Sequence, residues 1–276
     1  MKKIIFGLGA FLFFIFFLEC PLGAQVRGNG SIAEETRPVS AFRSIVSTGP
    51  VDVFVQQGDR YSMTVRADAN LLPYIKTVVK NNTLYVSTTR NIWKAKKMEV
   101  HVTLKTLQKV VLSGSGDFYC KTLFTMPAVQ FLVNGSGDVK AMLNTKTVDV
   151  KLSGSGDVEL NGVHGTLTAE LMGSGDLEAS GLQLKDCSLK LSGSGDAELK
   201  GRSVNFTVLS MGSGDVDASG LTAVHVKVKA NGSGDVVVHA VESLDAAVAG
   251  SGDLEYSGSP TALTVSATGS GAIYKH

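Results

Sequence analysis

Carboxylates recur along this chain at nearly constant intervals. Asp117, Asp138, Asp157, Asp176, Asp196, Asp215, Asp235 and Asp253 each close a Gly-Ser-Gly-Asp tetrapeptide, and a ninth copy ends in Ala272. Two residues after four of these aspartates come Glu159, Glu178, Glu198 and Asp217. Oxygen donors in two columns are what a hard divalent cation takes, so Asp157, Asp176, Asp196, Asp215, Glu159, Glu178, Glu198 and Asp217 are the Ca2+ candidates. Calcium-binding nonapeptide repeats also combine Gly and Asp, but in the order Gly-Gly-x-Gly-x-Asp. The motif here is shorter and its second turn lacks Asp, so no cofactor is assigned. The eight motif aspartates are read as turn residues that accept backbone N–H bonds, as Asx-turns do.

Other chemistry fits less well. A phosphate-binding loop needs Lys and Ser/Thr leading into a helix, whereas here an Asp leads into a strand. No Gly-x-Ser-x-Gly elbow is present. His101, His164, His225, His239 and His276 are scattered without zinc spacing and read as surface residues. Solenoid lyases and hydrolases rely on a few singular carboxylates, and a motif repeated eight times singles out no site. No catalytic residue is expected, and the chain is read as a non-enzyme.

The elements that position these residues follow from the spacing. First glycines lie 21, 19, 19, 20, 19, 20, 18 and 19 residues apart, from Gly114 to Gly269. After each Asp, apolar and polar residues alternate: Val158-Glu159-Leu160, Leu177-Glu178-Ala179, Ala197-Glu198-Leu199. The same holds before each motif, as in Val148 and Val150 or Leu167 and Ala169. Period two marks strands with one buried face. A second turn follows at Asn161-Gly162, Ser180-Gly181, Lys200-Gly201, Ser219-Gly220 and Ser257-Gly258, where glycine supplies positive φ. About 19 residues at roughly 3.3 Å each suffice for one circuit of a narrow coil. The expected fold is all-β, a parallel β-solenoid of about 19-residue rungs whose stacking buries a column no rung could bury alone. Inward sizes alternate along Ala141, Leu160, Ala179, Leu199 and Ala218, and Ser153, Met172, Ser192 and Met211 are expected to continue that alternation in the buried column. Lys151, Glu170 and Lys190 alternate in sign and should pair across rungs. Cys120 and Cys187, 67 residues apart, fall several rungs from each other, too far for a disulfide. Both are expected as small buried hydrophobes.

Residues 1–24 read as a secretory signal peptide: Lys2 and Lys3, an apolar run from Ile4 to Leu18, and small residues before a cut after Ala24. An uncleaved anchor and acylation at Cys20 are the alternatives. Without these residues the chain has 24 basic and 24 acidic residues. This neutrality argues against a nucleic-acid or anionic-membrane partner.

Residues 25–106 are β-rich but irregular and are read as early rungs plus a cap, ahead of the regular repeats over 107–276. One short helical turn fits between Ala67 and Ile75. Gly49-Pro50-Val51-Asp52 looks like a degenerate copy of the repeat turn. With Phe42-Arg43-Ser44-Ile45, Gln57-Gly58-Asp59 and Asn70-Leu71-Leu72-Pro73-Tyr74-Ile75, these residues resemble the head GIN domain family of putative autotransporter adhesins. The resemblance implies a pectin-lyase-like superhelix, an adhesive role, and no catalytic residues. An autotransporter carries a membrane barrel, and no such segment precedes His276, so self-anchoring is not expected. The function expected is an adhesion or binding module in the periplasm, on the outer surface or outside the cell, with a host or cell-surface glycan or protein as partner. The alternatives are a carbohydrate-binding or carbohydrate-active solenoid and a ligand-free envelope scaffold. Trp93, the chain's single tryptophan, with Tyr119 and Tyr274, is little material for a sugar platform. The final rung is expected to support a weak tail-to-tail homodimer through its unpaired edge.

Overall fold

The computed structural model describes residues 25–276; the leader reading of residues 1–24 lies outside them. The protein is a parallel β-solenoid. Strands such as Val158–Leu171, Leu177–Leu191, Ala197–Ser210 and Val216–Ala230 each run through one whole rung, bending at the second turn. They stack in parallel: Val158 pairs with Leu177, Leu177 with Ala197, and Ala197 with Val216. Pairing is interrupted at the second turn, where register shifts take up the unequal repeat lengths. Glycine at that corner has positive φ at Gly162 (88°), Gly181 (63°), Gly201 (142°) and Gly258 (94°), as the turns require, but not at Gly220.

Alternation along the strands puts one face into a continuous apolar column. Val158, Leu160, Leu177, Ala179, Leu199 and Ala218 are buried. The large–small alternation therefore holds at Ala141, Leu160, Ala179, Leu199 and Ala218, and neighbouring rungs interdigitate at close packing. Ala179 pairs in register with Leu160 on one side and Leu199 on the other. Ala179→Leu is thus expected to cost about 1–3 kcal/mol by overpacking. An unchanged midpoint in denaturant titration would contradict this packing. The expected continuation at Ser153, Met172, Ser192 and Met211 is corrected: all four are exposed, Met172 by 48% and Met211 by 44%. Each follows a buried residue such as Leu152 or Leu171, and strict period two then turns it outward.

Cys120 and Cys187 are free and buried, and burial pushes both thiols up to about 12. Lys151 and Lys190 both reach Glu170, at 3.9 and 2.6 Å, the cross-rung pairing expected from their alternating signs.

The N-terminal end is built out of chain order. The rung made of Ser44–Ser47 and Asp52–Gln57 lies between two others. Lys109–Leu112 and Phe118–Cys120 cover one side of it, and Thr83–Thr88 and Met98–Leu104 cover the other. The chain therefore lays down a rung beneath its first one, then steps over it. Beyond that rung the pairing turns antiparallel: Ile75–Lys80 on Thr83–Thr88, Ser62–Asp68 on Met98–Leu104, and Ile32–Thr36 on Ser62–Asp68. Asn81 (φ 50°) and Asn82 (φ 57°) form a two-residue hairpin in the left-handed region that asparagine tolerates. A short 3-10 turn, Leu72–Tyr74, stands where one helical turn was expected.

The C-terminal rung is open. Ala262–Ala267 and Ile273–Lys275 each pair with described strands on one side only. Leu263 and Val265 pair in register with the buried Leu244 and Ala246, yet are 46% and 42% exposed.

Candidate functional site

The repeat turn is the most regular feature of the surface. Each first glycine lies directly over the one before it, so a Cβ on Gly193 would sit 1.9 Å from the carbonyl oxygen of Gly173. That same oxygen accepts the Ser194 N–H at 2.9 Å. At Gly193 close stacking, not positive φ, demands glycine.

The aspartates form a second ladder. Oδ1 of Asp157 accepts the backbone N–H of Asp176 at 2.9 Å. Oδ1 of Asp176 accepts that of Asp196, Oδ1 of Asp196 that of Asp215, and Oδ1 of Asp215 that of Asp235, at 2.7–2.8 Å. In return the main-chain carbonyl of Asp176 accepts the Val158 N–H at 2.8 Å. The ladder starts at Asp52, whose Oδ1 accepts the Asp117 N–H, and passes through Asp117, Asp138 and Asp253 to the N–H of Ala272. Gly49-Pro50-Val51-Asp52 is thus the first member of the turn column. Ala272 donates as the position requires, and no described strand lies above it to donate in turn. The expected role is corrected in one respect: each carboxylate stabilises the next rung's turn, not its own. The cause is rung spacing, which brings the following N–H within reach of Oδ1.

Asp196→Ala should therefore cost about 1–2 kcal/mol, the range of a lost side-chain acceptor. Asp196→Asn keeps an acceptor oxygen and removes one of a row of like charges, so it should stay within about 0.5 kcal/mol of the parent. Equal losses for both in urea titration would assign the effect to charge instead of hydrogen bonding.

Both carboxylate columns face outward, as alternation implied. Asp157, Asp176, Asp196 and Asp215 are exposed, beside Glu159, Glu178, Glu198 and Asp217. Between them lie shallow hollows of about 200 and 440 Å³, the first around Asp157 and Glu159, the second around Asp196 and Glu198. Glu159 pairs with Lys140 at 2.9 Å and Glu198 with Lys200. Asp217 accepts from the Ser219 hydroxyl and N–H, which hold its carboxyl below the usual range. Among the described residues no three His, Cys, Asp or Glu side chains gather in a metal-binding group. One oxygen of each ladder aspartate, Oδ1, already accepts a backbone N–H.

At the N-terminal end the outward column next to the aspartates becomes aromatic. The Phe54 ring stacks on His101 at 4.8 Å and on Tyr119 at 4.9 Å, and the Lys121 ammonium lies 4.4 Å from the Phe54 centroid. The Tyr119 hydroxyl donates to Asp117 at 2.8 Å, and burial with that bond raises its pKa. His101 bonds Glu99 at 2.8 Å, so it is not a free surface histidine. Sequence reasoning missed this stack. The available signal was that Phe54 and Tyr119 both stand two residues after a ladder aspartate.

This turn-and-strand pattern has relatives. The family described as putative auto-transporter adhesin, head GIN domain, matches residues 41–203 and 188–260. The chain belongs to that family. The head GIN domain is similar to the crystal structure of a putative adhesin from Parabacteroides distasonis, at 25% identity and a TM-score of 0.71, with 92% of this chain and 100% of that one covered. It is also similar to a putative lipid binding protein from the same organism, at 25% identity, a TM-score of 0.66 and the same coverage. A putative adhesin from Parabacteroides merdae, at 22% identity, a TM-score of 0.64 and coverage of 91% and 99%, shares the fold. No curated protein matches the sequence. Neither the family nor these three structures carries an enzyme's name.

Proposed function

We propose that this head GIN domain is an exported, non-catalytic binding rod of the cell surface or periplasm, and that its adhesive surface is the carboxylate-lined sheet face. The observation that supports this is the pairing of the two columns. The aspartate ladder fixes each rung by backbone bonds, and beside it Glu159, Glu178, Glu198 and Asp217 repeat at strand spacing on a flat, preorganised surface. Preorganisation lowers the ordering cost of binding, and a face on which carboxylates outnumber the ammonium groups of Lys140 and Lys200 favours partners carrying cationic groups. A protein or glycan bearing such groups on a host or neighbouring cell is the partner class. Sugar binding through an aromatic platform is less well supported, because the rings of His101, Phe54 and Tyr119 cover one another's faces. Weak self-association through the open C-terminal rung belongs to the same proposal, since Leu263 and Val265 of two copies would cover each other.

The test is binding of residues 25–276 to cells and to arrayed glycans, with Glu178→Lys/Glu198→Lys beside the parent. The charge-reversed protein should fold normally and lose most of its binding. Retention of full binding by that variant would remove the carboxylate face from consideration.

A further inference from the structure

The formal neutrality of the chain conceals a strong separation of charge. Residues 25–106 hold 12 basic and 6 acidic residues, whereas residues 107–276 hold 12 basic and 18 acidic. The first group forms the capped end of the solenoid and the second forms its body, so the rod is positive at one end and negative along the rest. In the cap only Arg37, Arg66 and Lys97 pair with carboxylates among the described residues. Asp68, one of its six acids, is buried beneath backbone N–H groups and presents no charge to the surface.

The basic end also carries the most exposed aromatic ring of the described residues. Val26–Arg27 and Ile92–Lys94 form a separate two-stranded ribbon, with Arg27 in register with Lys94. From it projects Trp93, 65% exposed, with the Arg27 guanidinium 5.8 Å from its ring. Arg90, Lys94 and Lys96 lie within three residues of it and are exposed. The hairpin that precedes the ribbon in the chain exposes Val78 and Tyr85, by 41% and 43%, around its own hollow of about 460 Å³, which Lys76 and Lys80 also line.

We propose that this capped end docks on an anionic lipid surface and so orients the rod, with Trp93 at the headgroup level and the lysines and arginines over the lipid charges. Tryptophan prefers the membrane–water interface, where its ring is apolar and its N–H finds a partner. Each basic residue near an anionic leaflet favours the bound state about fivefold, and the effect fades within a Debye length. Docking by the cap leaves the carboxylate columns of the body rungs away from the bilayer, most of them more than a Debye length from its charge. The uniform neutrality that argued against such a partner does not hold locally. This inference is independent of what the acidic face binds.

The chain's single tryptophan makes the test direct. Residues 25–276 contain the whole described core and are mixed with phosphatidylcholine vesicles with and without about one third phosphatidylglycerol. Trp93 emission should shift to the blue, and the protein should float, only with the anionic vesicles, and high salt should reverse both. Lys94→Glu/Lys96→Glu should weaken flotation at least tenfold and Trp93→Ala a few-fold, while Lys227→Glu/Lys229→Glu on the body should leave it unchanged. Absence of any blue shift, or an equal loss in the body variant, overturns the proposal. Equally tight capture by duplex DNA at the same salt would show a general polyanion site and also overturn the lipid assignment.

Discussion

Alanine at Gly193 is expected to destabilise the protein by about 4 kcal/mol or more, among the largest effects a single methyl group can have. The added carbon would lie 1.9 Å from the Gly173 carbonyl oxygen, and that oxygen cannot retreat because it accepts the Ser194 N–H at 2.9 Å. Either the two rungs separate locally, breaking that bond and straining the ladder bond from Asp196 to Asp176 at 2.8 Å, or the turn flips out of the column. A solenoid is held by nearest-neighbour interfaces, so a fault between two rungs uncouples the blocks on either side. Thermal unfolding should accordingly broaden or split as well as move down by about 10 °C. Gly220→Ala is the control: its new carbon would meet chiefly the flexible Lys200 side chain, and Gly220 has no positive φ. It should cost under about 1 kcal/mol. Similar losses for both glycines would mean that rung stacking is not what the motif glycine serves.

The second large effect is expected at Asp68. Its side chain is fully buried and accepts N–H bonds from Gly30, from Lys96 at 2.8 Å and from Lys97 at 3.1 Å. Burial pushes its pKa up, but the N–H groups of Lys97, Gly30 and Lys96 outweigh it and hold the carboxyl below its ordinary value. One carboxylate thereby ties the N-terminal segment and the loop after Trp93 to the strand Ser62–Asp68. Asparagine offers one acceptor oxygen where two are used, and turns an N–H2 group toward backbone donors. Asp68→Asn should cost about 2–4 kcal/mol at neutral pH, since bonds to a charged acceptor are the strong ones. The sign of the pH dependence follows from the depressed pKa. The stabilisation is complete above the unfolded value near 3.9 and is lost as pH falls through the lower folded value. The gap between parent and variant in urea titration should narrow below about pH 4. A gap that stays constant into acid would mean that Asp68 acts by shape and not by charge. Because the ribbon bearing Trp93 hangs from these bonds, its emission should also move red in the variant at neutral pH.

Much of this molecule is legible in its residue order. Period two in Val158-Glu159-Leu160 and its equivalents, the near-constant spacing of the glycines, and a second glycine turn are local features. Together they determine an all-β parallel solenoid, buried cysteines too far apart to bond, and carboxylates on the outside. The repeat also marks Asp52 as a turn residue, because Gly49 and Asp52 keep their relative positions without the intervening Ser-Gly. What the tertiary structure alone decided is which residue lies over which. The aspartate ladder joins residues about 19 positions apart, and rung spacing, not the turn itself, sets its partners. Met172 and Met211 face solvent because parity is counted along the strand through Leu171 and Ser210, not from the motif. His101, Phe54 and Tyr119 meet only because the rung containing Thr83–Thr88 and Met98–Leu104 is slipped beneath the first one. That order depends on pairings between distant segments and on where the chain turns antiparallel, and no local periodicity encodes it. The separation of charge between cap and body was present in the composition of residues 25–106 and 107–276. It acquired physical meaning only when the fold gathered residues 25–106 at one end of the rod.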